Sequence, residues 1–300
     1  MSKVQEQENK KLSAKELVDK GNNQENASVE SGKKEGHAHT LYAEPIFHVG
    51  NFPVTNSLLN TWLVVFLVVV LGVSLRGRVK MIPGKIQNIM EMVIEFFLGV
   101  FDSVTGSRKA SLKFFPFVFS FFVLILCNNW LGLLPGVGSV GNVVGKDGHE
   151  IFIPYFRGGT ADLNTTLALA IIGVVASHIF GVLAIGAWKH FNKFINLNAF
   201  IEITKKAKND PAILIVNPIK AFVGLIEVIG EIAKVASLSF RLFGNIFAGE
   251  VLLASMAAIL AFGLPIPFMF LEVLVGVIQA LIFSMLILAY LTMNTSEEEH

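Results

Sequence analysis

Arg241 lies in the string Ser237-Leu-Ser-Phe-Arg241-Leu-Phe-Gly-Asn245-Ile-Phe-Ala-Gly-Glu250, inside a long apolar stretch. A guanidinium cannot shed its proton to escape hydrocarbon. A permanent cation at membrane depth therefore costs about 3 kcal/mol on insertion scales unless a carboxylate, water or a polar cavity meets it. Such a residue reads as functional. Glu227, Glu231 and Lys234 precede it at spacings of four and three, so they share a slowly drifting polar stripe with Ser237 and Arg241. Glu250 falls nine positions beyond Arg241, about 900° of helical rotation, which puts it on roughly the opposite face and about 13.5 Å further along. Glu272 and Gln279, seven apart, share a face of the next apolar segment. A helix with a fixed cation on one face and a carboxylate on another can serve two aqueous paths that do not communicate.

Helices that cross a bilayer must position these groups, and the composition supplies them. Hydrophobic residues make up 53% of the 300-residue chain, charged residues 16%, and Phe numbers 26, well above the apolar balance of a soluble domain. A net charge of +1 gives no pointer to nucleic acid. The single Cys127 sits in an apolar run; it excludes an internal disulfide framework and reads as a small core residue.

Ser57–Leu75 carries no charge and predicts the first crossing. Arg76, Arg78, Lys80 and Lys85 follow at once, whereas Lys and Arg are absent from His37 to Thr61. The positive-inside rule then places the amino terminus outside and residues 76–113 on the cytoplasmic side. Lys85–Phe101 has apolar residues at helical spacing with Glu91 and Glu95 between them, the pattern of a helix lying along the interface. Phe114–Leu134 is the second crossing, residues 135–162 form a Gly- and Pro-rich outer segment, and Thr165–Trp188 returns to a basic loop with Lys189, Lys193, Lys205, Lys206 and Lys208. From Ile219 to Phe262 the chain is apolar without a break, roughly 66 Å as helix and about twice the hydrocarbon thickness. One long, tilted helix is expected there. Gly263-Leu-Pro265-Ile-Pro267 breaks it, and Phe268–Met293 is the last helix, with the carboxy terminus cytoplasmic.

The expected fold is an all-α integral membrane protein: a five-crossing helix bundle with an interfacial amphipathic helix and a long tilted carboxy-terminal helical hairpin, 219–293, that carries the ion path. The membrane domain runs over 46–300, and the polar segment 1–45 is expected to be disordered and extracytoplasmic. Lys11–Lys20 reads as a transient helix. No apolar h-region opens the chain, so a cleaved signal peptide is not expected and the first crossing acts as its own signal.

The string around Arg241 resembles the signature of subunit a of the rotary F-type ATP synthases, in which an invariant arginine opens an Arg-Leu-x-Gly/Asn pattern followed by Ala-Gly-Glu, here Ala248-Gly249-Glu250. Asn129-Trp-Leu-Gly-Leu-Leu-Pro135 is similar to the family's Asn-x-x-x-Leu-Leu-Pro element, with Gly132 where some members carry aspartate. Ala161-Asp162-Leu-Asn164-Thr165 resembles its entry to the next crossing, Gln279 matches a family glutamine, and Glu272 stands where members carry His or Glu. The likeness covers most of 46–295.

The resemblance implies a stator subunit that forms two proton half-channels and faces a rotating ring of c subunits. Arg241 would attract the deprotonated c-subunit carboxylate and bar direct proton hopping between the channels. Glu250 and Glu272 would be relay groups of the outer half-channel, Asn245 and Gln279 would order water beside Arg241, Ser237 would lie on the same path, and Glu227 would belong to the inner one. Implied partners are the c-subunit ring, the peripheral-stalk b subunits, the other ATP synthase subunits and membrane lipid. No cofactor or metal is implied, the ATP chemistry falls to other subunits, and the implied location is the inner membrane of a bacterium. Proton and sodium coupling both stay open, since the family sets that choice largely in the c subunit.

Plainer readings stand beside these. Glu231 and Lys234, three apart, pair with each other or reach the cytoplasmic interface rather than serve the path; His178 reads as a hydrogen-bonded core histidine; His37, His39 and His48 are weak metal candidates in a polar segment. Gly136-Val-Gly-Ser-Val-Gly141 matches G-x-G-x-x-G, but it follows an apolar crossing rather than a short strand and does not open a helix, so it is not a nucleotide fingerprint. A secondary ion-coupled transporter is the functional alternative; it would call for inverted-repeat halves, which the sequence does not suggest.

Overall fold

The computed structural model describes residues 43–76, 84–134, 137, 140–146, 149–195, 213–260 and 263–296. The chain divides into two compact units. The smaller joins Met1–His39 with Val143–Phe152 and is described only through two paired strands, β3 (Gly141–Lys146) and β4 (His149–Pro154), whose ends run into the larger unit. The larger, Thr40–Asn142 with Ile153–His300, holds the helices.

The larger unit opens with an antiparallel hairpin of β1 (Pro45–Val49) and β2 (Phe52–Thr55), which runs directly into helix α1 (Asn56–Arg76). Helix α2 (Lys85–Thr105) ends at Gly106 in the left-handed region, φ 66°, where a residue without a Cβ is favoured. Helix α3 (Arg108–Gly132) follows, then a 3-10 turn (Gly159–Ala161) and α4 (Leu163–Ile185), whose first turn is capped by the Asp162 carboxylate accepting from the Asn164 amide at 3.1 Å. Gly186, φ 96°, breaks α4 from the short α5 (Ala187–Ile195). Helix α6 (Ile213–Ile259) runs unbroken for 47 residues, and α7 (Pro265–Thr295) begins with Pro in its first turn.

Five helices, α1, α3, α4, α6 and α7, are long and apolar enough to cross a membrane. Helix α3 packs on α7, and α4 packs on both α6 and α7. Phenylalanine builds the centre: Phe97, Phe101, Phe114, Phe121, Phe122 and Phe283 are buried, and their rings meet edge-on or tilted, as between Phe97 and Phe122 at 4.5 Å and Phe121 and Phe283 at 5.8 Å. Helix α1 leaves Phe66, Val69 and Val73 exposed, and side-chain hydrogen bonds at its amino-terminal end tie it to the bundle.

The expected crossings match α1, α3, α4, α6 and α7, and Lys85–Phe101 lies within α2, which is not among the apolar crossings. Three features depart from expectation. The Gly- and Pro-rich segment 135–162 holds strands β3 and β4 in a fold expected to be all helical, the first crossing is preceded by a hairpin, and Thr165–Trp188 ends three residues early at Gly186, whose positive φ redirects the chain into α5. The disorder expected for most of 1–45, the helix at Lys11–Lys20 and the His37 and His39 metal candidates lie outside the described residues.

Candidate functional site

Helix α6 presents two different faces. Leu238, Ser239, Leu242 and Phe243 are buried, with Ser239 Oγ 3.2 Å from Thr166 Oγ1 of α4. Ser237, Arg241 and Asn245, spaced by four, form an exposed strip on the other side. Among the described residues the only hydrogen bond of the Arg241 side chain runs from Nη2 to Ser237 Oγ at 3.4 Å. A permanent cation thus stands exposed on a crossing helix, hydrogen-bonded among the described residues to one hydroxyl.

Nine residues on, the chemistry changes. Arg157, in the segment before the 3-10 turn, donates from Nε at 3.2 Å and Nη2 at 3.0 Å to Oε2 of Glu250. The pair is mostly shielded from solvent. Glu272 of α7 is 6% exposed, and its carboxylate lies against Gly249 so closely that a methyl group on that glycine would overlap it. The absence of a Cβ at position 249 is what lets α7 deliver Glu272 to the residue next to Glu250. The hairpin turn therefore brings Glu272 against the neighbour of Glu250, although among the described residues the two carboxylates share no hydrogen bond and Glu250 is turned toward Arg157. Gln279, buried, is two turns further along the face of α7 that carries Glu272.

The two upstream elements singled out in the sequence act together at this end. Asn129 accepts from Thr160 Oγ1 at 2.5 Å and donates to the Gly276 carbonyl of α7 at 3.1 Å, while Trp130 Nε1 donates to the Val273 carbonyl at 3.3 Å. Asp162 accepts from Ser57 Oγ of α1 at 3.0 Å, and Thr61 Oγ1 donates to Asn128 Oδ1 at 3.3 Å. These bonds clamp α1, α3, α7 and the 3-10 turn around the carboxylates. Gly159 sits inside the clamp, where a Cβ would overlap Asn128 and Thr61. Asn60 is fully buried, and among the described residues neither of its side-chain polar atoms has a hydrogen-bond partner.

At the opposite end of α6, Glu227 is half-buried. Lys234 Nζ donates to Glu231 Oε1 at 2.6 Å, so these two do pair with each other, and His178 Nε2 lies 3.2 Å from Glu231 Oε2. His178 is hydrogen-bonded, as expected for a core histidine, but its partner is a carboxylate of the polar stripe. Arg157 was missed by sequence reasoning. Its only signal was a cation just ahead of Ala161-Asp162, in a segment rich in Gly and Pro. Asn60 left a comparable trace, one amide in the second turn of an apolar crossing.

Five apolar crossings, with an exposed arginine on the longest helix and ionisable groups to either side of it, define a multi-pass helical membrane protein built around charged groups inside the bilayer. Residues 58–292 match the profile of the family described as ATP synthase A chain. Among curated proteins the chain is 30% identical over 247 residues to ATP synthase subunit a of Moorella thermoacetica, covering 82% of this chain and 93% of that one. It is 32% identical over 253 residues to the subunit a of Syntrophobacter fumaroxidans, 84% and 89% covered, and 34% identical over 236 residues to that of Desulfotalea psychrophila, 77% and 80% covered. The chain belongs to the ATP synthase A chain family. These relatives do not favour a secondary ion-coupled transporter.

Proposed function

We propose that this chain is the stator subunit of an ATP synthase membrane sector, forming two proton half-channels and coupling transmembrane proton flow to rotation of a c-subunit ring. The observation that carries the reading is Arg241, exposed on a crossing helix with its side chain hydrogen-bonded, among the described residues, to Ser237 alone. A cation so placed is stabilised by a carboxylate from another chain, and a ring of subunits that each bring one buried carboxylate past the Ser237–Arg241–Asn245 strip would provide it in turn. The guanidinium draws the ring carboxylate into its charged form and so helps strip its proton. Because it does not titrate, it cannot relay a proton between the channels.

Glu250 and Glu272 line the outer half-channel, with Gln279 and Asn245 ordering water toward Arg241, and Glu227 belongs to the inner path. Each elementary charge crossing 100 mV releases about 2.3 kcal/mol, so the work of the subunit is to make several such crossings obligatorily rotary. The chain carries no catalytic ATP chemistry of its own; that lies in other subunits, and peripheral-stalk b subunits hold this one against the ring. Its place is the inner membrane of a bacterium, amino terminus outside, with 1–45 as a polar extracytoplasmic segment ahead of the membrane domain 46–300.

Arg241→Lys and Arg241→Ala test the reading. A desolvated lysine can deprotonate and alanine carries no charge. ATP-driven acidification of inverted vesicles should be lost in both, with the subunit still in the membrane. Acidification by Arg241→Lys above about a tenth of the unmodified rate would refute the role, because a fixed charge is what the argument requires.

A further inference from the structure

Four helices converge at the α4–α5 corner and bring together titratable groups that the proposed path does not use. Gly186, at φ 96°, folds α5 back on α4, and Gly181 makes room for it: a Cβ there would stand 2.8 Å from His190 Cε1 and 2.7 Å from the Asn294 carbonyl oxygen. His190 is 4% exposed. Its Nε2 lies 3.2 Å from His178 Nδ1, and His178 Nε2 lies 3.2 Å from Glu231 Oε2. Lys234 occupies the other oxygen of that carboxylate at 2.6 Å, with its ammonium 5.1 Å from the centre of the Tyr290 ring of α7. The hydrogen bond from Asn294 to Ser177 at 3.0 Å ties α7 to α4 beside them.

This wiring fixes where protons can sit. A carboxylate facing His178 Nε2 keeps that nitrogen protonated, so Nδ1 either carries a second proton, making His178 an imidazolium that donates to His190, or is bare and accepts from His190 Nε2–H. Moving one proton across the 3.2 Å contact converts imidazolium His178 with neutral His190 into neutral His178 with imidazolium His190. Nothing else changes, and the charge shifts toward α5. Glu231 is ten residues from Arg241, about 15 Å along α6, beyond Arg241 from Glu250.

We propose that His178 and His190, held by Glu231 and Lys234, form a one-proton imidazole relay between the inner half-channel and the aqueous face at the α4–α5 corner. The proposal rests on the half-channel reading above. The helices that build it carry His178 on α4, Lys189, His190 and Lys193 on α5, Lys220, Glu227, Glu231 and Lys234 on α6, and Tyr290 on α7, with Arg241, Glu250 and Glu272 further along α6 and α7.

The test uses the whole enzyme in inverted vesicles, where the α4–α5 corner faces the medium if the basic loop is cytoplasmic. ATP-driven acidification and, after removal of the catalytic sector, passive proton conductance are measured from pH 5.5 to 8.5 for His178→Gln, His190→Gln and His190→Ala, with Arg241→Ala as the reference. Glutamine keeps a hydrogen-bonding side chain but cannot carry the proton, so each Gln variant should lose at least tenfold in conductance and the inflection between pH 5 and 8. Imidazole added to the medium should restore His190→Ala at least threefold. Unchanged conductance and pH profile in both Gln variants would overturn the relay, as would a loss that imidazole leaves untouched in an assembled His190→Ala enzyme. Should His190→Ala not assemble, the pH profile of His190→Gln decides. Arg241→Ala separates the two readings: if it still pumps, the half-channel reading fails, whereas if it does not pump and the histidine variants behave as unmodified enzyme, only the relay fails.

Discussion

Gly249→Ala adds one methyl group at the point where α6 and α7 touch, and it tests whether the position of the Glu272 carboxylate governs proton flow. The new Cβ would overlap that carboxylate. Ordinary carbon contacts lie near 3.5 Å, so Glu272 must retreat by roughly 1 Å, and it does so within a packed site where it is only 6% exposed. Overpacking of this kind costs about 2 kcal/mol, too little to prevent assembly of a bundle with this core. A displacement of about 1 Å at a reacting group, by contrast, costs up to about a hundredfold in rate. The expected result is a subunit present at normal level in membranes with ATP-driven acidification reduced roughly tenfold to a hundredfold. Glu272→Asp shortens the side chain by one methylene and should bring the Gly249→Ala enzyme back to at least a third of the unmodified rate, an interaction that a double-mutant cycle isolates. Pumping by Gly249→Ala above half the unmodified rate would refute the reasoning, and so would a double variant no faster than Gly249→Ala alone.

Arg157→Gln removes the cation that meets Glu250 and should slow passive proton conductance several-fold, with Arg157→Lys intermediate because an ammonium replaces two donors with one point charge; equal rates for all three enzymes would show that the pair is only structural. Glu250→Gln and Glu272→Gln should each slow conductance in part, Glu272→His should be tolerated, and the double Gln change should fall well below the product of the single effects if the two carboxylates share one relay; simple multiplication of the single effects would mean that they act independently. In a background with Cys127 replaced, a cysteine at Ser28 should react with an impermeant thiol reagent in intact cells and one at Ser296 only after permeabilisation; the reverse pattern would exchange the outer and inner assignments.

What the sequence disclosed and what it hid divide along a physical line. The crossings were legible because hydropathy is summed over about 20 residues and because no Pro or Gly-rich break interrupts Ile232–Leu242, which argued for one helix where two would otherwise be counted. The separation of Arg241 from Glu250 onto different faces followed from helical geometry alone, and the structure has one exposed and the other turned to Arg157. Pairings across distant segments were not legible. Arg157 meets Glu250 over 93 positions and Ser57 meets Asp162 over 105, and no local pattern encodes either. Short hairpins such as β1–β2 escaped for a related reason, since two brief strands that pair mainly with each other leave little periodic signal in a chain dominated by helices. The contact of His178 with His190 depends on a single glycine conformation at 186, and a glycine between apolar residues gives no sign of which way the chain will turn.

The continuity of α6 matters because it fixes distances that separate elements could not. Glu231 and Glu250 are 19 residues apart on one helix with Arg241 between them at positions ten and nine away, which makes about 28 Å end to end, close to the hydrocarbon thickness, with the arginine near the midpoint. A proton at either carboxylate would have to cover about 14 Å to pass the guanidinium, several times the reach of a hydrogen bond, against a charge that at an effective dielectric of about 20 still repels it by roughly 1 kcal/mol over that distance. A break in the helix near Ser237, such as two perpendicular crossings would require, would let those distances vary and the two polar clusters drift toward one another. A single continuous helix holds the two clusters a fixed distance apart with the cation between them. Under the proposed function, the gap it maintains can be closed only by a carrier that moves past the exposed strip of Ser237, Arg241 and Asn245, which is why leakage is suppressed without any moving part in this subunit.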